Sequence, residues 1–338
     1  MKTIRVLLAG LGAVNRGWLE VLVLKAGVLR EQGIQFRVVG VSDSSGVAVR
    51  PEGFDPEEII RLKNDRKKVS TLKEFQPGMT TEKMPTACVA DLLVESTPAN
   101  LETGEPGFSS VKAALEKKMS VVLANKTPLI RGFDELLTLC RNQGARMAYS
   151  ATVCGGLPVI NVLQRDLKLA HIGRIRGIFN ATSNFVLREL ERGGTLEAAV
   201  QEARRLGAAE ADPSHDLHGH DTANKLYIIM KSLDGFDGNF GDIQVTGIQE
   251  LRAQDLRAAR ERGMVIKLVA DAKREGDSWS LSVRPEELPE SSFLGGCEGW
   301  EMGVEIEADL YERICMKNYE ADPLGTSAAV MRDCLDIS

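Results

Sequence analysis

Residues 3–9 (TIRVLLA) form a short apolar run rich in branched side chains. The next eight, Gly10-Leu11-Gly12-Ala13-Val14-Asn15-Arg16-Gly17, lead straight into the helical pattern of residues 18–30. A strand that ends in glycines and feeds a helix is how a chain bends back over a parallel sheet, so this segment constrains the fold most. Later apolar runs end in small polar residues as well. Phe36 to Val41 runs into Ser42-Asp43-Ser44-Ser45-Gly46, and Leu92 to Glu95 into Ser96-Thr97-Pro98. Helical patterns at 108–118 and 133–143 alternate with strand patterns at 120–124 and 146–149. The first 150 residues therefore read as βαβ units, an α/β class with a parallel sheet wrapped by helices.

After Ala151-Thr152-Val153-Cys154-Gly155-Gly156 the pattern changes. Longer helices are predicted at 157–170, 195–207, 219–233 and 249–262, with strands at 173–180, 264–272 and 279–284. This is a second, α+β domain. Residues 325–336 read as a last helix, capped by Thr326 or Ser327 and returning to the first domain. The expected organisation is 1–150, 151–312 and a closing segment 313–338.

The 42 Lys and Arg against 48 Asp and Glu give a net charge of −6, so no global cationic field exists to collect nucleic acid or an anionic membrane. Apolar residues at 43% and charged ones at 27% are ordinary for a globular chain. Six scattered cysteines without a CxxC pair fit a reducing cytoplasm and argue against a zinc site. The N-terminal apolar run is interrupted by Gly10, Gly12, Asn15 and Arg16, so it reads as a strand and not as a signal peptide. No apolar stretch reaches the ~18 residues of a membrane span.

Gly10 and Gly12 fit the first two places of a dinucleotide-binding turn, where one glycine makes the bend and the next lets a pyrophosphate approach the helix N-terminus. Asn15 stands at the third place. Asp43, beyond the second strand, is where a carboxylate would accept the adenosine ribose hydroxyls; equally, Asp43-Ser44-Ser45-Gly46 reads as a plain turn. NAD and NADP both stay open. In the second domain, residues 210–225 (EADPSHDLHGHDTANK) concentrate polar groups. Asp221 and Lys225 at i, i+4 can pair on one helix face, either as an exposed salt bridge or as a lysine poised for proton transfer. His215, His218 and His220 lack the spacing of a metal site and read as exposed histidines. Lys126, in Ala124-Asn125-Lys126-Thr127, projects from a strand's carboxyl end, where cofactors bind in parallel sheets.

Taken together, GLGAVNRG, VSDSSG, VESTPANLETGEPG, VVLANKTPL, ATVCGGLPVIN, GIFNATSNFVL and LGAAEADPSHDLHGHDTANKL make the chain resemble the homoserine dehydrogenases, in the short form without a C-terminal regulatory (ACT) domain. The resemblance implies a Rossmann-type doubly wound sheet and an α+β catalytic domain with a mixed sheet that also forms a homodimer. It implies NAD(P)-dependent interconversion of aspartate 4-semialdehyde, a small amino-acid substrate, and homoserine, in the threonine and methionine branch of biosynthesis. Carried over by motif, Lys126 and Lys225 are the proton-transfer groups and Asp221 orients Lys225 or the reacting oxygen. Glu210 and Asp216 hold the substrate ammonium, with Thr182 near it. Gly10, Gly12, Ala13 and Val14 meet the pyrophosphate; Thr97, Pro98 and Asn125 line the nicotinamide end. A monovalent cation such as sodium would sit on the carbonyls of Val153, Gly155 and Leu157.

Three departures stand against the family pattern. Ser150 replaces the usual Glu of the cation site, residues 318–325 (NYEADPLG) replace a GxGAG loop, and Asn15 replaces the third glycine. They keep two alternatives open: a dehydrogenase of another amino-acid aldehyde or alcohol, and a cofactor-binding paralogue without catalysis.

Overall fold

A computed structural model describes residues 1–206, 213–320 and 322–337. Two compact units divide the chain, Met1–Gly156 with Asp322–Ser338, and Leu157–Ala321.

In the first unit the opening run is β1 (Lys2–Ala9), and the glycine turn leads into α1 (Ala13–Leu24). The single helix expected over 18–30 is two, because Lys25 leaves helical geometry before α2 (Ala26–Glu31). There follow β2 (Ile34–Asp43), β3 (Gly46–Val49), α3 (Pro56–Asn64) and β4 (Phe75–Gln76). Then come β5 (Leu92–Glu95), α4 (Gly107–Glu116), β6 (Ser120–Leu123), α5 (Thr127–Gln143) and β7 (Met147–Ala148). The strand order is β4-β3-β2-β1-β5-β6-β7. The run from β2 to β7 is parallel, and β1 with its neighbour β5 is apolar and buried as a central parallel strand must be. The chain winds from β1 to β2 and later crosses to β5 on the other side. The crevice at the carboxyl ends of β1 and β5 is therefore the switch point where such sheets take ligands.

The sheet is not parallel throughout: β3 and β4 run antiparallel. Asp43 pairs with Gly46 across a two-residue hairpin turn, and Gly46 has φ +128°, which glycine tolerates best. Trp18 is wholly buried with Phe36 edge-on at 5.7 Å.

The second unit contains α6 (Val159–Asn161), β8 (Ile172–Ile178), α7 (Ala181–Glu191), α8 (Leu196–Arg205), α9 (Ser214–Leu217) and α10 (His220–Lys231). After β9 (Gln244–Val245) and α11 (Ala253–Glu261) come β10 (Met264–Glu275), β11 (Ser278–Pro289), β12 (Glu301–Ala308) and β13 (Glu312–Tyr319). Their order is β13-β12-β8-β10-β11-β9. All pairs are antiparallel except β11 with β9, so the sheet is mixed. The helix expected over 157–170 is α-helical only at Val159–Asn161. Residues Val162–Asp166 wind wider, with Leu167 N–H donating to the Val162 carbonyl at 2.8 Å.

The expected boundary at 312 also moves. Residues 312–319 pair with β12 along its whole length, and the chain leaves this unit only at 321. It returns to the first unit as α12 (Leu324–Asp336), whose N-cap is Pro323 and not Thr326 or Ser327. Asp322 accepts the Leu324 N–H at 2.8 Å. Ser327 sits inside the helix with its hydroxyl 2.9 Å from the Val14 carbonyl. A Cβ on Gly17 would fall 2.3 Å from that hydroxyl, so Gly17 is what lets α1 and α12 meet. Among the described residues no helix is long and apolar enough to cross a membrane.

Candidate active site

The glycine turn has the shape a dinucleotide needs. Gly10 has φ +81°, and a Cβ there would lie 2.7 Å from the Ser96 carbonyl oxygen. Gly12 caps α1 with open space where a Cβ would be, and no side chain caps the helix. The unpartnered N–H groups of a helix start thus lie beside exposed Gly12 and Ala13 and half-buried Val14. Asn15 is fully buried, and its Nδ2 donates to the Ala9 and Gly10 carbonyls at 3.1 and 2.9 Å. It braces the turn from within, which a glycine could not do.

Asp43, read from the sequence as either a ribose acceptor or part of a plain turn, is bonded within the protein. Its Oδ1 accepts from the Ser45 N–H at 2.9 Å and the Ser45 hydroxyl at 2.6 Å; its Oδ2 accepts from Lys63 at 2.8 Å and the Val69 N–H at 3.1 Å. A carboxylate has about four acceptor directions, and all are filled. Burial works to raise this carboxyl, but the bonds from Lys63, Ser45 and Val69 outweigh it and hold it below the usual range. Asp43 braces the β2–β3 turn.

At the carboxyl ends of β5 and β6, Thr97 and Asn125 are buried and Pro98 is exposed. Asn125 Oδ1 accepts the Thr127 N–H at 2.9 Å, and half-buried Lys126 is the N-cap residue of α5. Beneath them lies Glu95, which the sequence reading did not single out. Its Oε1 accepts the Thr97 N–H at 2.9 Å and forms a very short bond with the Thr97 hydroxyl, and the Asn125 side chain also bonds to it. Burial pushes this carboxyl up to about 7 against those bonds.

In the second unit Asn180 caps α7, its side-chain oxygen accepting the Ser183 N–H at 2.7 Å. Its Nδ2 donates to Asp216 at 2.7 Å and to Asp221 at 2.8 Å. Asp221, in the first turn of α10, lies 2.9 Å from Lys225 Nζ, which also donates to the Phe179 carbonyl at 2.6 Å. The two side chains are 8% and 15% exposed, so this is not the solvated helix pair that spacing alone allows. Thr182 is buried on the first turn of α7. The structure thus brings Asp216, Asp221 and Lys225 together around Asn180, a bridge the sequence reading left unassigned although it stands before a helix as an N-cap should. Glu210 lies outside the described residues.

The three clustered histidines are exposed, with the His215 and His218 rings 6.1 and 6.2 Å from His220. Among the described residues no group of three His, Cys, Asp or Glu could hold a metal ion. Val153 and Gly155 belong to the first unit and Leu157 to the second. Ser150 is committed elsewhere: its N–H donates to Asp333 Oδ2 at 2.9 Å, its hydroxyl lies 2.7 Å from Asp333 Oδ1, and Arg332 donates to that hydroxyl at 2.7 Å.

Comparison with known proteins gives the family. The homoserine dehydrogenase family model matches residues 158–335, and the glutamate/leucine/phenylalanine/valine dehydrogenase model matches residues 4–122. A homoserine dehydrogenase of Methanocaldococcus jannaschii is 34% identical over 333 residues, 98% of each chain. An NAD(+)-dependent homoserine dehydrogenase of Pseudomonas canavaninivorans is 31% identical, covering 100% of this chain and 97% of its own. A hyperthermophilic archaeal homoserine dehydrogenase in complex with NADPH has a TM-score of 0.85 at 26% identity, over 99% of this chain and 98% of that one. With a family model over more than half its length and relatives above 30% identity along nearly all of it, the chain belongs to the homoserine dehydrogenase family.

Proposed function

We propose that the chain interconverts homoserine and aspartate 4-semialdehyde with NAD(P)(H), and that Lys225 is its principal proton-transfer group. The observation that carries this is the buried Asp221–Lys225 pair, fixed by Asn180 and the Phe179 carbonyl. The nicotinamide, when bound, supplies or accepts the hydride; the rest falls to side chains. On reduction the aldehyde oxygen gains negative charge, and an ammonium beside it stabilises the alkoxide and delivers its proton. Two of the three N–H donors of Lys225 point at Asp221 and Phe179, so its ammonium is held in one orientation before substrate arrives. Lys126, at the carboxyl end of β6, is the second candidate for this step. Asp216, with Glu210, receives the substrate ammonium, and Thr182 lies on the first turn of α7, which Asn180 caps. The charge pattern suits an amino acid, which needs carboxylates for its ammonium and cations for its carboxyl group and developing alkoxide.

Gly10, Gly12, Ala13 and Val14 receive the pyrophosphate, while Thr97, Pro98 and Asn125 receive the nicotinamide end. Asp43 could accept a ribose hydroxyl only by giving up Lys63, Ser45 or Val69, so it carries no preference for NAD over NADP in this reading. A monovalent cation on the carbonyls of Val153, Gly155 and Leu157 would find no anionic donor at Ser150. Six cysteines outside any disulfide suit a reducing cytoplasm. Homodimer formation and a place in the threonine and methionine branch complete the reading, on the strength of family membership.

The test is absorbance of reduced nicotinamide with homoserine and each dinucleotide. Lys225→Ala should lower kcat by about 10²–10⁴-fold and leave dinucleotide affinity unchanged. Near-normal kcat in that variant sinks the role of Lys225. Turnover of another amino-acid aldehyde in place of homoserine moves the substrate, and no cofactor turnover with any of them sinks the enzyme reading.

A further inference from the structure

Glu95 closes the apolar strand β5 in the middle of the first sheet, with its side chain wholly inside the protein. A carboxyl in such a place is costly unless its bonds or its charge are used. Its Oε1 holds both the N–H and the hydroxyl of Thr97, and Asn125 bonds to it as well. Its Oε2 is buried and has no hydrogen-bond partner. Gly107, the first residue of α4, leaves just enough room: a Cβ there would lie 2.9 Å from Asn125 Nδ2 and 3.1 Å from Glu95 Oε1. One carboxyl therefore fixes both side chains assigned above to the nicotinamide end.

Charged groups on the surrounding elements are engaged elsewhere or lie apart. Arg5 on β1 pairs with Asp91 at 2.7 Å, and Lys112 on α4 pairs with Glu135 on α5 at 2.7 Å. Glu105 holds the Ser109 hydroxyl, and Arg131 lies against Gly104. Glu116, Asp134 and Arg141 lie further along α4 and α5, and Lys126 stands at the start of α5. None of them contributes to the shift of Glu95, whose surroundings are a hydroxyl, an amide N–H and a carboxamide. With a value of about 7, the group changes charge near neutrality.

We propose that Glu95 is a positioning residue whose ionisation couples proton binding to the redox form of the dinucleotide. Its carboxylate favours the cationic oxidised nicotinamide, and its protonated form favours the neutral reduced one. This rests on the reading that Thr97 and Asn125 line the nicotinamide end. Because coupling between two sites is reciprocal, the preference for the oxidised form must rise with pH.

The experiment measures dissociation constants of the wild-type protein for NAD+ and NADH, which differ at the nicotinamide alone, from about pH 6 to about pH 8. The ratio of the NADH constant to the NAD+ constant should rise about fivefold in the wild type and stay level in Glu95→Gln, with Thr97 still held by the amide oxygen. A level ratio in the wild type overturns the proposal, whether or not the variant folds. A slope retained in Glu95→Gln overturns it too. Binding needs no substrate, so the result is independent of which aldehyde is reduced. Failure to bind either dinucleotide would overturn the cofactor reading itself, and the proposal with it.

Discussion

Two residue pairs show why spacing cannot assign a role. Glu202 and Arg205 lie on one helix 2.7 Å apart, with side chains 40% and 69% exposed, and such pairs contribute a few tenths of a kcal/mol at most. Asp221 and Lys225 make a similar pair inside the protein, where partners fixed by Asn180 and Phe179 replace water. Burial and not spacing sets the two pairs apart. Glu95 carries a pH prediction at this same scale. Its folded-state value of about 7 lies above the ordinary 4.5. Between these values the folded chain binds more protons than the unfolded one, so stability from this group falls as pH rises. Above both values the loss is complete. Glu95→Gln removes it, so the melting temperature of the variant relative to wild type should improve from pH 5 to pH 8, by the equivalent of ~1–3 kcal/mol. Thermal unfolding at the two pH values checks this, and a constant or reversed difference refutes it.

Among elements, the closing helix α12 is tied to the first unit by a buried carboxylate. Asp333 is 1% exposed and accepts both the N–H and the hydroxyl of Ser150, so the serine, where the resemblance leads one to expect a glutamate, serves as an anchor for the helix. Two carboxylates could not share that space without one taking up a proton. Asp333→Ala should leave the buried Ser150 N–H without a partner and lower stability by ~2–4 kcal/mol, while Asp333→Asn, which keeps one acceptor, should cost less. Equal melting temperatures for the two variants would contradict the anchoring role. Ala329, Val330, Met331 and Cys334 join the same core cluster as Trp18 and Phe36.

For the whole molecule, the consequence is that the first unit is made from both ends of the sequence. A chain ending at residue 321 would uncover the α12 side of that core, where each fully buried Val or Met contributes ~1.5–3 kcal/mol. Its dinucleotide affinity should fall at least about tenfold, a loss of ~1.4 kcal/mol or more, as measured by binding of NADH. Full affinity in the shortened chain would show that α12 is dispensable to the nucleotide unit.

What the sequence determined by itself is whatever lies close along the chain. The strand, glycine turn and helix of residues 3–24, the paired spacing of Asp221 and Lys225, and the turn at Asp43–Gly46 are local patterns of periodicity, backbone freedom and short reach. The tertiary structure alone decided the contacts made across long separations. Asn180 reaches Asp216 and Asp221 from 36 and 41 residues away, Lys63 and Val69 saturate Asp43 from 20 and 26, and Asp333 meets Ser150 from 183. β12 carries a strand alternation in Met302, Val304, Ile306 and Ala308, but its register against β8 and β13 is set by residues far along the chain, and the burial of Glu95 follows from the helices packed over it. A side chain's type is written in the sequence. Its burial and partners, which set its charge and chemistry, depend on what the rest of the chain puts beside it.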